Sequence, residues 1–313
     1  MLVNVGCGRV WHRDWINLDH QPSSPEVKAF DIRKPLPFEN GTCDAVYASH
    51  VLEHLDRDEG RRLLRECRRV LKPGGVVRIV VPDLEDFCRY YLQRLAAVIE
   101  HPSEENDMAY NWAYLHLIDQ HVRRRSGGEL APYAEQANLV ANDRIRDRLS
   151  VNMLQDHVLH GVRRPQPPRA GAQTARESAR PAKPPAANFR GGMTSGVKKL
   201  ARAILLRILP DSYAEALQAA SVIRAGELHR VGYDRYSLPR LLREAGFQDV
   251  AIVDPAYSAI PNFDKMELDC VNGRPRKPGS LYAEAIRTVP GVATSTTRRQ
   301  REESQPGKAS VAA

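Results

Sequence analysis

Residues 2–5, Leu-Val-Asn-Val, run straight into Gly6-Cys7-Gly8. An apolar tetrad followed by Gly-x-Gly reads as a buried strand ending in bare backbone, where a ligand can come close. The next apolar run, residues 15–19, ends in Asp19, whose carboxylate can take two ribose hydroxyls at once. Residues 26–31 read as a third strand ending at Asp31, and residues 44–49 as a fourth leading into Ser49-His50. Ligands of open α/β sheets bind beyond the carboxyl ends of the strands, so these four strand ends predict one site. His50, His54 and His229 are the candidate bases, because imidazole can accept a proton near neutral pH. Each also has a structural reading, His50 as a packed strand-end side chain and His54 and His229 as residues that fix the start of a helix. His157 and His160 stand three apart, as metal ligands on a helix can, but no third ligand matches them and no metal site is expected. The run Arg123-Arg124-Arg125 reads as a solvated face rather than an anion site.

The scaffold for these residues is legible in the pattern. Asp56 and Glu59 form a capping-box pattern, and Leu63, Leu64, Cys67, Val70 and Leu71 make one apolar helical stripe that Pro73-Gly74-Gly75 stops. Val76–Val81 is an apolar strand interrupted only by Arg78, and Asp83 can cap a helix reaching about Glu100. Further on, Ser237 as N-cap, Pro239 in the first turn and Gly246 as the stop predict a helix over 237–245. Strands are expected at 249–254 and 281–287. The fold class predicted is α/β, a three-layer, Rossmann-like sandwich with a mostly parallel sheet and a helical insertion after strand five. The expected divisions are 1–100, a cofactor-binding core; 101–162, the helical insertion; 163–193, a disordered basic loop; 194–288, an amphipathic helix and the rest of the α/β fold; and 289–313, a disordered tail.

Composition narrows the class. The 313 residues are 42% apolar and 27% charged, typical of a soluble globular chain. The longest apolar stretch, 200–209, is broken by Arg202 and Arg207 and is too short to span a bilayer. No secretory leader is expected, since Met1 is followed at once by a strand pattern. Five cysteines without a CxxC pair argue against a disulfide framework and a zinc site, and fit a cytoplasmic protein. The net charge of +8 is local: residues 161–210 hold eleven basic side chains and one acid. A nucleic-acid enzyme using that loop is therefore disfavoured. The 196–209 helix could lie on the inner membrane face as a peripheral contact, or bury its Leu200, Ile204, Leu205 and Ile208 stripe on the domain.

Together, Val3–Gly8, Trp15–Asp19, Asp31-Ile32 with Leu36-Pro37-Phe38, Cys43–Val46, His50-Val51-Leu52-Glu53-His54 and Leu71–Gly75 resemble the class I S-adenosylmethionine-dependent methyltransferases. The likeness is to the type 11 group and its branch found with bacterial surface-polysaccharide genes. It covers about residues 2–87, and 237–247 is similar to the end of that fold. The resemblance implies S-adenosylmethionine as cofactor, with Gly6, Cys7 and Gly8 under its methionine part, Asp19 on the ribose, Asp31 on the adenine amino group, Ile32 against the ring and His50 near the methionine or the acceptor. It implies a small-molecule or glycan acceptor, methylated at a sugar or other hydroxyl. Against the family pattern, no helix is expected before the first strand, and the third glycine has no clear match. Its first crossover is very short, which would let Trp11 and His12 reach the pocket. The alternative is a non-catalytic cofactor-binding module serving a glycosyltransferase. A nicotinamide enzyme is disfavoured because GxGxxG fails at Trp11. Acceptor identity and oligomeric state stay open.

Overall fold

The computed structural model describes residues 1–135, 139, 141–150, 213, 216, 219–223 and 226–288. In chain order the strands are β1 (Leu2–Val5), β2 (Ile16–Asp19), β3 (Val27–Ala29), β4 (Cys43–Ser49), β5 (Leu71–Pro82), β6 (Gln248–Ile252), β7 (Cys270–Val271), β8 (Arg274–Pro275) and β9 (Ser280–Ile286). Seven of them form one sheet in the order β3-β2-β1-β4-β5-β9-β6, and β7 and β8 pair as a separate hairpin. The first five strands run parallel, and β9 is inserted antiparallel between β5 and β6. This mostly parallel sheet with flanking helices is a Rossmann-like α/β fold. The chain winds outward from β1 to β3, then returns to β4 on the other side of β1. That reversal opens a crevice at the carboxyl ends of β1 and β4.

Alternation along the strands buries both faces, as a parallel sheet demands. Val3, Val5, Val46, Ala48, Val77 and Ile79 pack on one side. Helix α1 (Arg57–Val70) covers them with Leu63, Leu64, Cys67 and Val70. Its first turn is held by the expected capping box: Asp56 accepts from the Glu59 amide at 2.7 Å, and the Glu59 carboxylate accepts from the Asp56 amide at 3.0 Å. The other face carries Trp15, Tyr47, Val80, Phe263 and Tyr282.

Helices α2 (Leu84–Glu100), α3 (Glu104–Val122), α4 (Leu130–Ala134) and α5 (Asp143–Arg146) follow β5. They build a core of their own around Tyr90, Met108, Trp112, Leu139 and Ile145. Asp83 caps α2 by accepting from the Glu85 amide. Arg123 pairs with Asp119 at 2.8 Å and so does not present an anion site. No described helix is long and apolar enough to cross a membrane.

Several boundaries differ from the sequence reading. Helix α1 ends at Val70, and Leu71 joins β5 opposite Cys43. The Pro73-Gly74-Gly75 segment therefore falls within a strand irregularity rather than at the helix stop. Strand β3 ends at Ala29, so Asp31 lies in the following turn. Helix α6 (Ser237–Glu244) is capped by Asp234, whose carboxylate accepts from the Ser237 amide at 2.8 Å; Ser237 itself is helical. The 163–193 loop, the 196–209 helix, the 289–313 tail and the His157/His160 pair lie outside the described residues.

Candidate functional site

The site begins with the backbone after β1. Gly6 and Gly8 both adopt left-handed backbone, with φ of +67° and +56°. A Cβ at Gly6 would sit 2.5 Å from a methyl of Val51, so only glycine fits. A Cβ at Gly8 would meet nothing within 4 Å, so its backbone faces open space. Asp19, at the end of β2, ties this turn down. One carboxylate oxygen accepts from the Gly8 amide at 2.8 Å and the other from the Gln21 amide at 2.8 Å. Each oxygen keeps a second lone pair.

A cavity of about 720 Å³ opens at these strand ends. Gly6, Cys7, Gly8, Asp19, Asp31 and Ile32 all line it, as does His50. Such a volume lies within the range of small-molecule and cofactor sites. Asp31 is half-claimed already, since Arg33 grips both its oxygens at 2.9 and 3.1 Å. The adjacent guanidinium holds the Asp31 carboxyl below its usual range. Burial pushes the Cys7 thiol up to about 11, so it is neutral. The β1–β2 crossover contains no helix, as its length requires. However, Arg9 and Val10 reach the cavity in place of Trp11 and His12. His12 is turned to its own loop, where its Nδ1 accepts from the Asp14 amide.

The three candidate histidines converge on one carboxylate. His50, in left-handed backbone just past β4, places Nδ1 3.2 Å from Glu53 and Nε2 3.0 Å from the Ser280 hydroxyl of β9. His54 Nε2 lies 3.8 Å from the same Glu53 oxygen. The His229 ring packs edge-on against His54, with centroids 4.9 Å apart. Glu53 is 1% exposed, and neither of its carboxylate oxygens has a hydrogen-bond partner among the described residues. Burial pushes its carboxyl up. Burial likewise pushes His50 well below its usual value, helped by Lys277 and His54. It pushes His229 down to about 2, helped by His54 and His121. Both are therefore neutral imidazoles at pH 7. His50 and His54 line the large cavity, whereas His229 lines a small void beside it.

Sequence reasoning passed over Glu53 as a site residue, although its place three after His50 and one before His54 was visible. Ser280 and Lys277, which also border the site, come from the other end of the chain and carry no local signal.

The crevice at the switch point, its bare glycine backbone and the strand-end acid define a nucleotide-cofactor-binding α/β domain. Within that class, residues 13–79 match the family model described as a methyltransferase domain. The cofactor such a domain implies is S-adenosylmethionine, and Gly8's open backbone and Asp19's spare lone pairs fit it. No curated protein matches the sequence. Among solved structures, an S-adenosylmethionine-dependent methyltransferase from Archaeoglobus fulgidus is 19% identical, over 32% of this chain and 58% of that one, with a TM-score of 0.24. Another from Mesorhizobium loti is 21% identical, over 26% and 47%, with a TM-score of 0.22. The YcgJ protein of Bacillus subtilis is 17% identical, over 30% and 51%, with a TM-score of 0.23. The chain thus spans less than two thirds of the length of each of these structures.

Proposed function

We propose that the protein is an S-adenosylmethionine-dependent methyltransferase acting on a hydroxyl of a sugar or other small acceptor, in glycan assembly. The observation that carries this reading is the convergence of Gly6, Gly8, Asp19 and His50 on one cavity at the sheet's switch point. The cofactor supplies a methyl group already activated on a sulfonium. The chain's part is to hold the acceptor in line and take its proton. In this reading Asp19 receives the ribose hydroxyls, and Asp31 and Ile32 hold the base; all three line the cavity. His50 and His54, both on the cavity wall, are the groups able to accept the acceptor's proton. A charged acceptor such as a nucleotide sugar or lipid-linked glycan suits the remaining wall. Arg9, Arg276 and Lys277 line it, and none of them pairs with a carboxylate among the described residues.

The test is calorimetric titration with S-adenosylmethionine and S-adenosylhomocysteine, on the wild type and on Asp19→Ala. Micromolar binding by the wild type and loss by the folded variant are expected. Unchanged affinity in Asp19→Ala would remove the ribose assignment. Cofactor binding without turnover to S-adenosylhomocysteine on any nucleotide sugar or lipid-linked glycan would favour the non-catalytic module.

A further inference from the structure

Glu53 poses a problem that the methyl-transfer reading leaves unsolved. A carboxylate removed from water without hydrogen bonds costs several kcal/mol, so it needs a proton or a cation. Lys277 is near enough to interact with Glu53 through space but makes no hydrogen bond to it. The hydrogen bonds around Glu53 decide which nitrogens can supply a proton. The Ser280 hydroxyl donates to the Lys277 carbonyl at 2.8 Å, so its oxygen is left to accept from His50 Nε2–H. The lone pair of His50 then sits on Nδ1, which faces Glu53. His54 Nδ1 lies 3.2 Å from the Leu228 carbonyl and must carry its proton, which leaves the lone pair on Nε2, the atom near Glu53. Both imidazole lone pairs thus face the Glu53 carboxylate, and among the described residues no donor reaches it.

The third imidazole completes the group. One ligand atom each from Glu53, His54 and His229 lie within 4.8 Å of one another. At His54 the hydrogen bonding resembles that of a metal centre. His54 is oriented by a backbone carbonyl, and the backbone of His229 is fixed on both sides: its amide donates to the Gln120 carbonyl at 2.9 Å and its carbonyl accepts from His121 Nδ1 at 2.9 Å.

We infer that Glu53, His54 and His229 bind a divalent first-row transition metal ion. Two imidazoles and one carboxylate suit Zn²⁺, Mn²⁺ or Co²⁺ better than Mg²⁺ or Ca²⁺, which prefer all-oxygen sites. Because His50 and His54 also line the large cavity, the ion would border the place where the acceptor is expected and could polarise its hydroxyl. That use rests on the methyl-transfer reading; the existence of the site does not.

The experiment uses the full chain, stripped with EDTA and titrated with Co²⁺ without cofactor or acceptor. Expected are one ion per chain, visible absorption bands typical of nitrogen-bound Co²⁺, and competition by Zn²⁺. Glu53→Gln and, separately, His54→Ala should weaken Co²⁺ binding by at least ~10-fold. His12→Ala, outside the group, should leave it unchanged. Should Glu53→Gln fail to fold, His54→Ala and the wild-type stoichiometry still decide the question. Absence of a 1:1 Co²⁺ or Zn²⁺ complex, or full affinity in His54→Ala, overturns the site and leaves Glu53 as a protonated acid bonded to His50. Cofactor titration is a separate measurement, so failure of one reading does not mask failure of the other.

Discussion

Arg78 is the only charged residue in the apolar run 76–81, and it is fully buried. Its Nε donates to Asp269 at 2.6 Å, and its Nη1 to Glu284 at 2.8 Å and to the Tyr257 carbonyl at 2.7 Å. Its Nη2 donates to the Pro255 carbonyl at 3.1 Å, and the guanidinium lies 4.9 Å from the ring centre of Phe263. Two carboxylates and two carbonyls thus meet on one side chain that joins β5, β9 and the loop after β6; Asp269 also accepts from the Tyr47 hydroxyl, and Glu284 from the Ser258 hydroxyl and the Ala259 amide. Arg78→Met keeps much of the volume and removes the charge. Breaking a buried pair by removing one partner costs about 3–5 kcal/mol, and a loss in that range is expected here because two acids lose their counter-charge while keeping their other hydrogen bonds. That is a large part of the ~5–15 kcal/mol typical of a folded domain. Urea unfolding followed by circular dichroism at pH 7 measures it; with a slope of ~3 kcal/mol/M the midpoint should fall by ~1–2 M. Burial already raises the Asp269 carboxyl even with Arg78 present. Without the arginine its folded value rises further above the unfolded one, so the deficit should shrink as pH drops and protons replace the lost cation. Adding Asp269→Asn and Glu284→Gln to Arg78→Met should recover at least half the loss. A single-variant loss below ~1 kcal/mol, or a triple variant no more stable than the single one, would refute the reasoning.

The same physics gives two further expected outcomes. Gly6→Ala must adopt left-handed backbone and push a Val51 methyl aside, so a loss of ~2–4 kcal/mol is expected, with only partial recovery in the Val51→Ala background; denaturant midpoints test it. His116, whose Nε2 is buried without a partner among the described residues, has its imidazole pushed down to about 4 by burial. Its folded value is below the unfolded ~6.5, so its contribution is complete above that pH and is lost as pH falls from ~6.5 towards 4, by at most ~3 kcal/mol. His116→Phe should flatten the stability-versus-pH curve over that window, and an unchanged curve would show that other groups set it.

Local chemistry in the sequence makes the main elements legible, and with them the strand ends that line the cavity. Asp56 and Glu59 specify a helix start through neighbouring backbone amides, and Gly6-x-Gly8 and Asp19 are legible because strand ends in a parallel sheet share one edge. The strand and helix limits were less legible, because pairing decides them: Leu71 leaves α1 for a ladder with Cys43, and Asp234 rather than Ser237 holds the start of α6. Tertiary packing alone decides which residues meet across long stretches of chain. The exclusion of Trp11 and His12 from the cavity and the network around Arg78 come from packing with no periodic signature. His229 lies 175 positions beyond His54, yet the two rings touch, and with Glu53 they form a cluster that neither segment announces. Spacing along a chain constrains neighbours within a few residues, whereas the burial that leaves the Glu53 carboxylate without a hydrogen-bond partner among the described residues exists only once the sheet, α3 and the segment before α6 have closed around it.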